Sequence, residues 1–481
     1  MHVVVYGLWH LGCVTAACLA RAGHRVSGFD PDARVLDDLR RGQPPLHEPG
    51  LPELLASGLD SEHLSFPTDP TAALVDADIL WVTFDTPVNE QDEADVDFVR
   101  ARLEEIRTLL NPGTLVLLSS QVPVGFTRAL GRDWSERGLH FAYSPENLRL
   151  GKAIEVFCNP ERVILGIEDD WDRPRLTELF APFCSRLEWM SLESAEMTKH
   201  ALNAFLATSV TFINELARLC EEVGADAKEV ERGLKSERRI GPRAYLSPGS
   251  AFAGGTLARD LRFLVRRGRD MRVETPLMQG VLASNDVHKN WLRERVAHLL
   301  AGVEKPVVAV LGLTYKPGTS TLRRSAAIEL CRCLHEQGVR VRGHDPAVGS
   351  LPPELGETLE LTAAPLEALD GAHVAVLATE WPSFRSLRPD DFSARMRQAC
   401  VLDPNHFLAD VLDGDSRIRY FATGKCADSS SRRCHGSSRP FGHHHGSEPG
   451  AGAGHRRPIR RVRGTCAAGG SRRGSTATGR G

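Results

Sequence analysis

The chain opens with HVVVYGLWHLG, residues 2–12, and no other stretch restricts its fold as strongly. Val3, Val4 and Val5 prepare a buried strand, Gly7 and Gly12 bracket a tight turn, and the small residues from Val14 to Ala20 suit a closely packed helix. A strand that turns directly into a helix belongs to a parallel sheet covered by helices, because parallel strands need a crossover to be joined. The spacing fits the dinucleotide fingerprint G-x-G-x-x-G, with Gly7 first, Gly12 last and Trp9 in the middle position, flanked by His10 and Leu11. The middle position normally lets a pyrophosphate approach the backbone, so a Trp there fills phosphate space unless its ring swings away. Asp30 closes the next strand, RVSGF, where an acid accepts hydrogen bonds from a ribose and disfavours a 2′-phosphate. The expected cofactor is therefore NAD. Trp9 and His10 are read as filling shape beneath the turn, with a ring lying along the cofactor as the alternative for Trp9, and His10 is not nominated as a base.

Short apolar runs alternate with amphipathic ones through the first 150 residues, which predicts an α/β domain. From about Glu193 to Glu222 apolar residues recur at helical spacing without Pro or Gly, predicting one long helix, and more helical sequence follows to about Arg295. Alternation then returns in PVVAVLGLTYKPGT, VRVRGHDP, VAVLATEW and ACVLDPN. The expected architecture is two Rossmann-like doubly wound parallel sheets joined by a long central helix. The domains are expected at 1–190, 191–298 and 299–425, followed by a basic tail at 426–481. That tail holds eleven arginines, no lysine and two acids, a balance of +9 that leaves residues 1–425 at −12. Its Gly/Ser/Ala/Arg composition cannot bury a core, so it is read as disordered. An acidic body argues against nucleic acid as a partner. No apolar run reaches the roughly 18 residues of a membrane span. Eleven cysteines lie scattered without a CxxC pair or zinc spacing, which points to no metal, no disulfide framework and a reducing cytoplasm.

Several ordered stretches go further: HEPGLPELL (47–55), DTPVNE (85–90), VPVGFTR (122–128), SPENLRLGKA (144–153), NPERVILG (159–166), AEMTKHALNAF (195–205), RIGPRAYLSPGSAFAGGTLARD (239–260), GLTYKPGT (312–319) and TEWPSF (379–384). Over residues 1–425 the chain resembles the UDP-glucose/GDP-mannose dehydrogenase family, which oxidises the C6 alcohol of a nucleotide sugar to a carboxylate with two NAD per turn. The resemblance implies roles by position. Lys199 and Asn203, one helical turn apart, would stabilise the alcohol oxygen as it loses hydride. Asp260 would orient water and Lys199, and Glu146 would stand near the sugar. Thr86, Pro87 and Gln121 would border the cofactor. Tyr245, Gly254, Gly255, Tyr315 and Lys316 would line the substrate, and Arg239 would reach it from a neighbouring subunit. A homodimer paired through the long helix is implied as well.

The departures from the family carry equal information. Four residues before Asp260, where the family has a cysteine nucleophile, stands Thr256, and no cysteine lies between Cys220 and Cys331. A family glutamate falls on Leu150, a catalytic threonine on Gln121 and a lysine on Arg259, while a C-terminal arginine has no counterpart in DPNH (403–406). Cysteine can form the covalent aldehyde adduct because its thiol ionises near pH 8.5, whereas a threonine hydroxyl needs a dedicated base. The expectation is a nucleotide-sugar dehydrogenase that stops after two electrons, at an aldehyde or ketone. Two other readings stay open: four-electron oxidation through a hydrated aldehyde, and a nucleotide-sugar binding protein without catalysis.

Overall fold

The computed structural model describes residues 1–87, 94–145, 148–253, 256–323 and 325–425. Glu146, Gly254, Gly255 and the expected tail at 426–481 lie outside these residues. Two sheets organise the rest. The first contains β1 (His2–Tyr6), β2 (Arg25–Phe29), β3 (Leu64–Ser65), β4 (Ile79–Val82), β5 (Leu115–Leu118), β6 (His140–Tyr143), β7 (Val163–Ile167) and β8 (Leu187–Ser191), ordered β3-β2-β1-β4-β5-β6-β7-β8. The second contains β9 (Val307–Leu311), β10 (Arg340–His344), β11 (Glu360–Leu361), β12 (Val374–Leu377), β13 (Cys400–Leu402) and β14 (Arg419–Phe421), ordered β11-β10-β9-β12-β13-β14. All described pairings are parallel except β6 with β7, so the expected parallel sheet reverses direction once, at its far edge. There the short helix Ala153–Cys158 returns the chain without the full crossover a parallel neighbour requires.

Between the sheets runs one helix of 32 residues, Leu192–Val223, close to the span expected from its periodicity. The Ser191 hydroxyl caps its start by accepting from Ser194 N–H at 3.2 Å, and Gly224 ends it at φ +81°. The helices Thr256–Asp270 and Pro276–Leu299 pack against it and against each other. No helix among the described residues is long and apolar enough to cross a membrane.

The two sheets repeat one design. In each, the strand order reverses between the first strand and its neighbour, at β1/β4 and at β9/β12, which opens a crevice at their carboxyl ends. Gly7 donates its N–H to Phe29 O at 3.0 Å, and Gly312 donates to His344 O at 2.8 Å. Both turn glycines have positive φ, +101° and +88°, and an added Cβ would lie 2.9 Å from Phe84 N in one and 2.6 Å from Thr379 N in the other. The stretches RVSGFDP (25–31) and RVRGHDP (340–346) occupy matching places.

Gly12 is held more tightly still, since a Cβ there would stand 1.9 Å from Gly7 O. Gly12→Ala must therefore push the first helix off the turn, and it is expected to cost about 3 kcal/mol of stability. Urea unfolding of the variant checks this; a change below about 1 kcal/mol would show that the turn yields freely.

Candidate active site

The turn after β1 satisfies what a dinucleotide needs from the protein. The helix His10–Arg21 has Trp9 as its N-cap residue and no side-chain cap, so the open N–H groups of its first turn face the crevice as an anion site. Asp30 accepts Leu8 N–H at 2.8 Å and Asp32 N–H at 3.0 Å. A carboxylate has about four acceptor positions, so Asp30 still has room for ribose hydroxyls. The bare Gly7–Gly12 contact and the unfilled acceptor sites of Asp30 fit NAD. Trp9 does not pack beneath the turn as expected; it is 44% exposed, whereas its neighbour Leu8 is buried. His10 does fill shape. Its Nε2 lies 2.9 Å from Glu48, which is buried and also accepts Gly151 N–H at 2.7 Å and Ala153 N–H at 2.8 Å. Leu11 is buried behind the turn, Thr86 donates to Gln121 O at 2.7 Å, and Pro87 is exposed.

Asp260 is completely buried and gathers the residues singled out for chemistry. Asn203 Nδ2 donates to its Oδ2 and Gln121 Nε2 to its Oδ1. Arg259 in turn donates to Gln121 Oε1, so two positions that depart from the family contact each other. Lys199 is buried one turn before Asn203 on the same helix. His200, which the sequence reading passed over, is buried too, with Nδ1 3.0 Å from Asp260 Oδ1 and Nε2 3.2 Å from Val122 O. A carbonyl only accepts, so Nε2 is the donor in the contact with Val122 O. The imidazole stacks on Phe263 at 4.2 Å. Its position beside Lys199 and three residues before Asn203 was the available signal, since that spacing shares the Asn203 face.

The segment carrying Gln121 and Val122 is fixed by Glu196, one turn before His200. Glu196 accepts Gly125 N–H at 2.5 Å, Thr127 N–H at 2.9 Å and the Thr127 hydroxyl at 2.6 Å, capping the helix Phe126–Asp133 from outside. Burial pushes the Glu196 carboxyl above its ordinary pKa, against the three donors. A cavity of about 280 Å³ borders Gln121, Pro123, His200, Asp260 and Phe263. Thr256 lies exposed at the start of the helix Thr256–Asp270, and no hydrogen bond joins its side chain to another described residue.

The irregular segment 239–253 is held by amide side chains that its sequence did not reveal. Asn214 accepts Gly249 N–H at 2.9 Å and donates to Ser250 O at 3.2 Å, while Asn285 clasps the backbone of Phe252 at 3.0 and 2.9 Å. His288 meets Gly249 O at 2.8 Å, and Asn405 of the DPNH segment accepts Ser250 N–H at 2.7 Å. Tyr245 is 60% exposed and Arg239 is exposed beside Glu237, so neither joins the Asp260 cluster within this chain. Tyr315 and Lys316 sit on the loop after Gly312, Tyr315 exposed and Lys316 half-buried. In this second repeat Asp345 is the counterpart of Asp30, but it is buried and bonded mainly to its own domain. It accepts Leu313 N–H at 2.7 Å, Thr314 N–H and hydroxyl at 2.9 Å each, Trp381 Nε1 at 3.0 Å and Ala347 N–H at 2.9 Å. Four of these bonds fall on Oδ2, and burial keeps the carboxylate from a ligand, whereas Asp30 stays partly exposed.

Comparison with known proteins follows this division. Residues 1–184 match the NAD binding domain of the UDP-glucose/GDP-mannose dehydrogenase family, 193–287 its central domain and 309–410 its UDP binding domain. The UDP-glucose 6-dehydrogenase of Pseudomonas aeruginosa is 34% identical over 443 residues, covering 88% of this chain and 98% of that protein. The chain belongs to the UDP-glucose/GDP-mannose dehydrogenase family. The enzyme of that name from Rhizobium meliloti is also 34% identical, over 436 residues, 88% of this chain and all of that one. Among solved structures, a UDP-glucose dehydrogenase from Pyrobaculum islandicum superimposes with a TM-score of 0.78 at 29% identity, covering 88% of this chain and 98% of the other. As a member of this family the chain is an NAD-dependent nucleotide-sugar dehydrogenase.

Glu231 ties the helix Ala227–Ser236 to the 239–253 segment through Ser247, whose hydroxyl donates to it at 2.6 Å. Burial works to raise its pKa, but hydrogen bonds from Lys228, Lys235 and Ser247 outweigh burial and hold the carboxyl at about 2 rather than 4.5. Its stabilisation is thus complete above about pH 4.5 and is lost as pH falls through about 2. Glu231→Gln is expected to cost about 1–2 kcal/mol near neutrality, allowing for solvent screening at the exposed Lys228. Chemical unfolding across the acid range should show the two proteins converging; a gap independent of pH would exclude these ion pairs as its source.

Proposed function

We propose that this dehydrogenase removes two electrons, not four, from an alcohol on a nucleotide-linked sugar, releasing an aldehyde or ketone. The observation that carries the reading is Thr256, in the place where a thiolate would be needed. Its side chain has no hydrogen-bonded base among the described residues, and the nearby titratable pair, His200 and Asp260, is engaged with itself. Without an ionised nucleophile no covalent aldehyde adduct forms, and a second hydride has no tetrahedral donor. Leu150, where a water-activating carboxylate would stand, supports the same conclusion. NAD, when bound, supplies the hydride acceptor. On the protein side, Lys199 and the second N–H of Asn203 stabilise negative charge on the substrate oxygen, and Asp260, held by His200, fixes Asn203. The nucleotide is held by the loop bearing Tyr315 and Lys316, with Glu146, Tyr245, Gly254 and Gly255 toward the sugar.

Arg239 comes from a second copy in this reading. The long helix leaves Phe205, Phe212 and Leu219 exposed by 70, 49 and 57%, seven residues apart, a stripe that pairing of two such helices would cover. Phe205→Asp is expected to shift the protein toward monomer in sedimentation at micromolar concentration. Wild-type protein already monomeric there would remove the paired helix.

The electron count is tested directly. Purified protein given NAD and a panel of nucleotide sugars should form one NADH per sugar, with a carbonyl product trapped as its oxime. Two NADH and a uronate would instead establish the hydrated-aldehyde route.

A further inference from the structure

The eleven cysteines looked unrelated in sequence, but the fold brings two of them together. Cys18 lies on the helix His10–Arg21, and Cys158 is the last residue of the helix Ala153–Cys158, which packs on it. Their sulfurs are 3.5 Å apart, in a hydrogen bond that spans 140 residues of chain. The two environments differ. Cys18 is fully buried, while Cys158 is partly exposed and receives a hydrogen bond from the Arg21 guanidinium. Arg21 follows Cys18 by three residues, so both project from one face of the first helix toward Cys158.

We propose that Cys158 and Cys18 form a hydroperoxide-reactive modification site, with Cys158 as the attacking thiolate and Cys18 as the resolving thiol. A cation touching one sulfur of a thiol pair is the arrangement that makes that sulfur nucleophilic. In agreement, the hydrogen bond with Cys18, followed by the charge of Arg21, holds the Cys158 thiol at about 7, below its ordinary value, while Cys18 is pushed up and keeps its proton. In the first step the Cys158 thiolate attacks one peroxide oxygen. The O–O bond breaks, sulfur becomes a sulfenic acid, and the departing hydroxide takes a proton to leave as water. In the second, Cys18 loses its proton and attacks the sulfenic sulfur, the S–O bond breaks, a second water leaves, and the S–S bond forms. Two thiols lose two electrons and one peroxide gains them; a dithiol reductant reverses the change by exchange. The sulfurs must approach by about 1.5 Å to reach a disulfide length near 2.05 Å, a movement a helix terminus can make.

The consequence is structural. The same two helices are already tied at their other ends, where His10 binds Glu48 and Glu48 binds the N–H groups of Gly151 and Ala153. Oxidation would fasten the second end as well, fixing the helix behind the dinucleotide turn against the segment that leads out of residues 148–152.

The full chain, treated with hydrogen peroxide, blocked with iodoacetamide and digested, should yield a Cys18–Cys158 linked peptide that dithiothreitol removes. Its melting temperature should rise by about 5 °C, reversibly, from closing so long a loop. Cys18→Ala should leave Cys158 trapped as a dimedone adduct, Cys158→Ser should abolish both signals, and Arg21→Gln should slow oxidation several-fold. Cys333, also partly exposed, is the internal control and should react about ten-fold more slowly. Oxidation of Cys158 no faster than Cys333, a crosslink to another cysteine, or no dimedone adduct in Cys18→Ala would overturn the assignment.

Discussion

The active-site region depends on keeping one carboxylate, Asp260, wholly out of water. Burying an unpaired charge costs several kcal/mol, so the site must surround it with donors from more than one element. His200 and Asn203 come from the long helix and Gln121 from the segment after β5. The demand for donors thus sets the distance between the cofactor domain and the long helix, and it places Lys199 beside them. It also explains why Gln121 and Arg259 depart from the family together. A longer amide at 121 reaches Asp260 with one end and needs a donor for the other, which Arg259 provides.

A second constraint is the repeated turn. Gly7 and Gly312 stand at the same point of two sheets, each followed by a leucine whose N–H bonds to an aspartate closing the next strand. What distinguishes the repeats is how far that aspartate is used up. Asp30 spends two acceptor positions on backbone and remains accessible; Asp345 spends five hydrogen bonds on its own domain, among them Trp381. One fold therefore offers a partly exposed aspartate in its first copy and a buried internal strut in its second, in keeping with the matches of the first to an NAD binding domain and the second to a UDP binding domain.

Much of this was legible in the residues. Alternating apolar runs announced both sheets, and the uninterrupted periodicity from Glu193 announced the long helix, because both signals come from local burial patterns. Asp30 was singled out by the spacing of the fingerprint, and Lys199, Asn203 and Asp260 by the resemblance to the family. His200 was not, since a histidine in a helix reads as neutral until an acid from 60 residues away meets it. Asn214, Asn285 and Asn405 were missed for the same reason: they bond to backbone atoms of the 239–253 segment, and side chain to backbone bonds leave no pattern in sequence. Trp9 was misplaced because spacing shows where a residue sits on the chain and not which of two neighbouring side chains, Leu8 or Trp9, turns inward.

The proposed two-electron reading turns on a difference between what the first and second oxidations require. Under the proposed reading, removing hydride from an alcohol needs a cation and an amide near the oxygen, the roles given to Lys199 and Asn203. Removing hydride from an aldehyde needs that carbon made tetrahedral first. A thiolate does this because its proton is already mostly gone near neutrality, whereas the threonine hydroxyl at 256 keeps its proton unless a base takes it. Asp260 and His200 could serve as that base only by giving up their mutual hydrogen bond, and with it the compensation that lets Asp260 remain buried. Under the proposed reading, the hydrogen bonds that keep Asp260 buried beside Asn203 are also what leaves it unable to act as a base for Thr256.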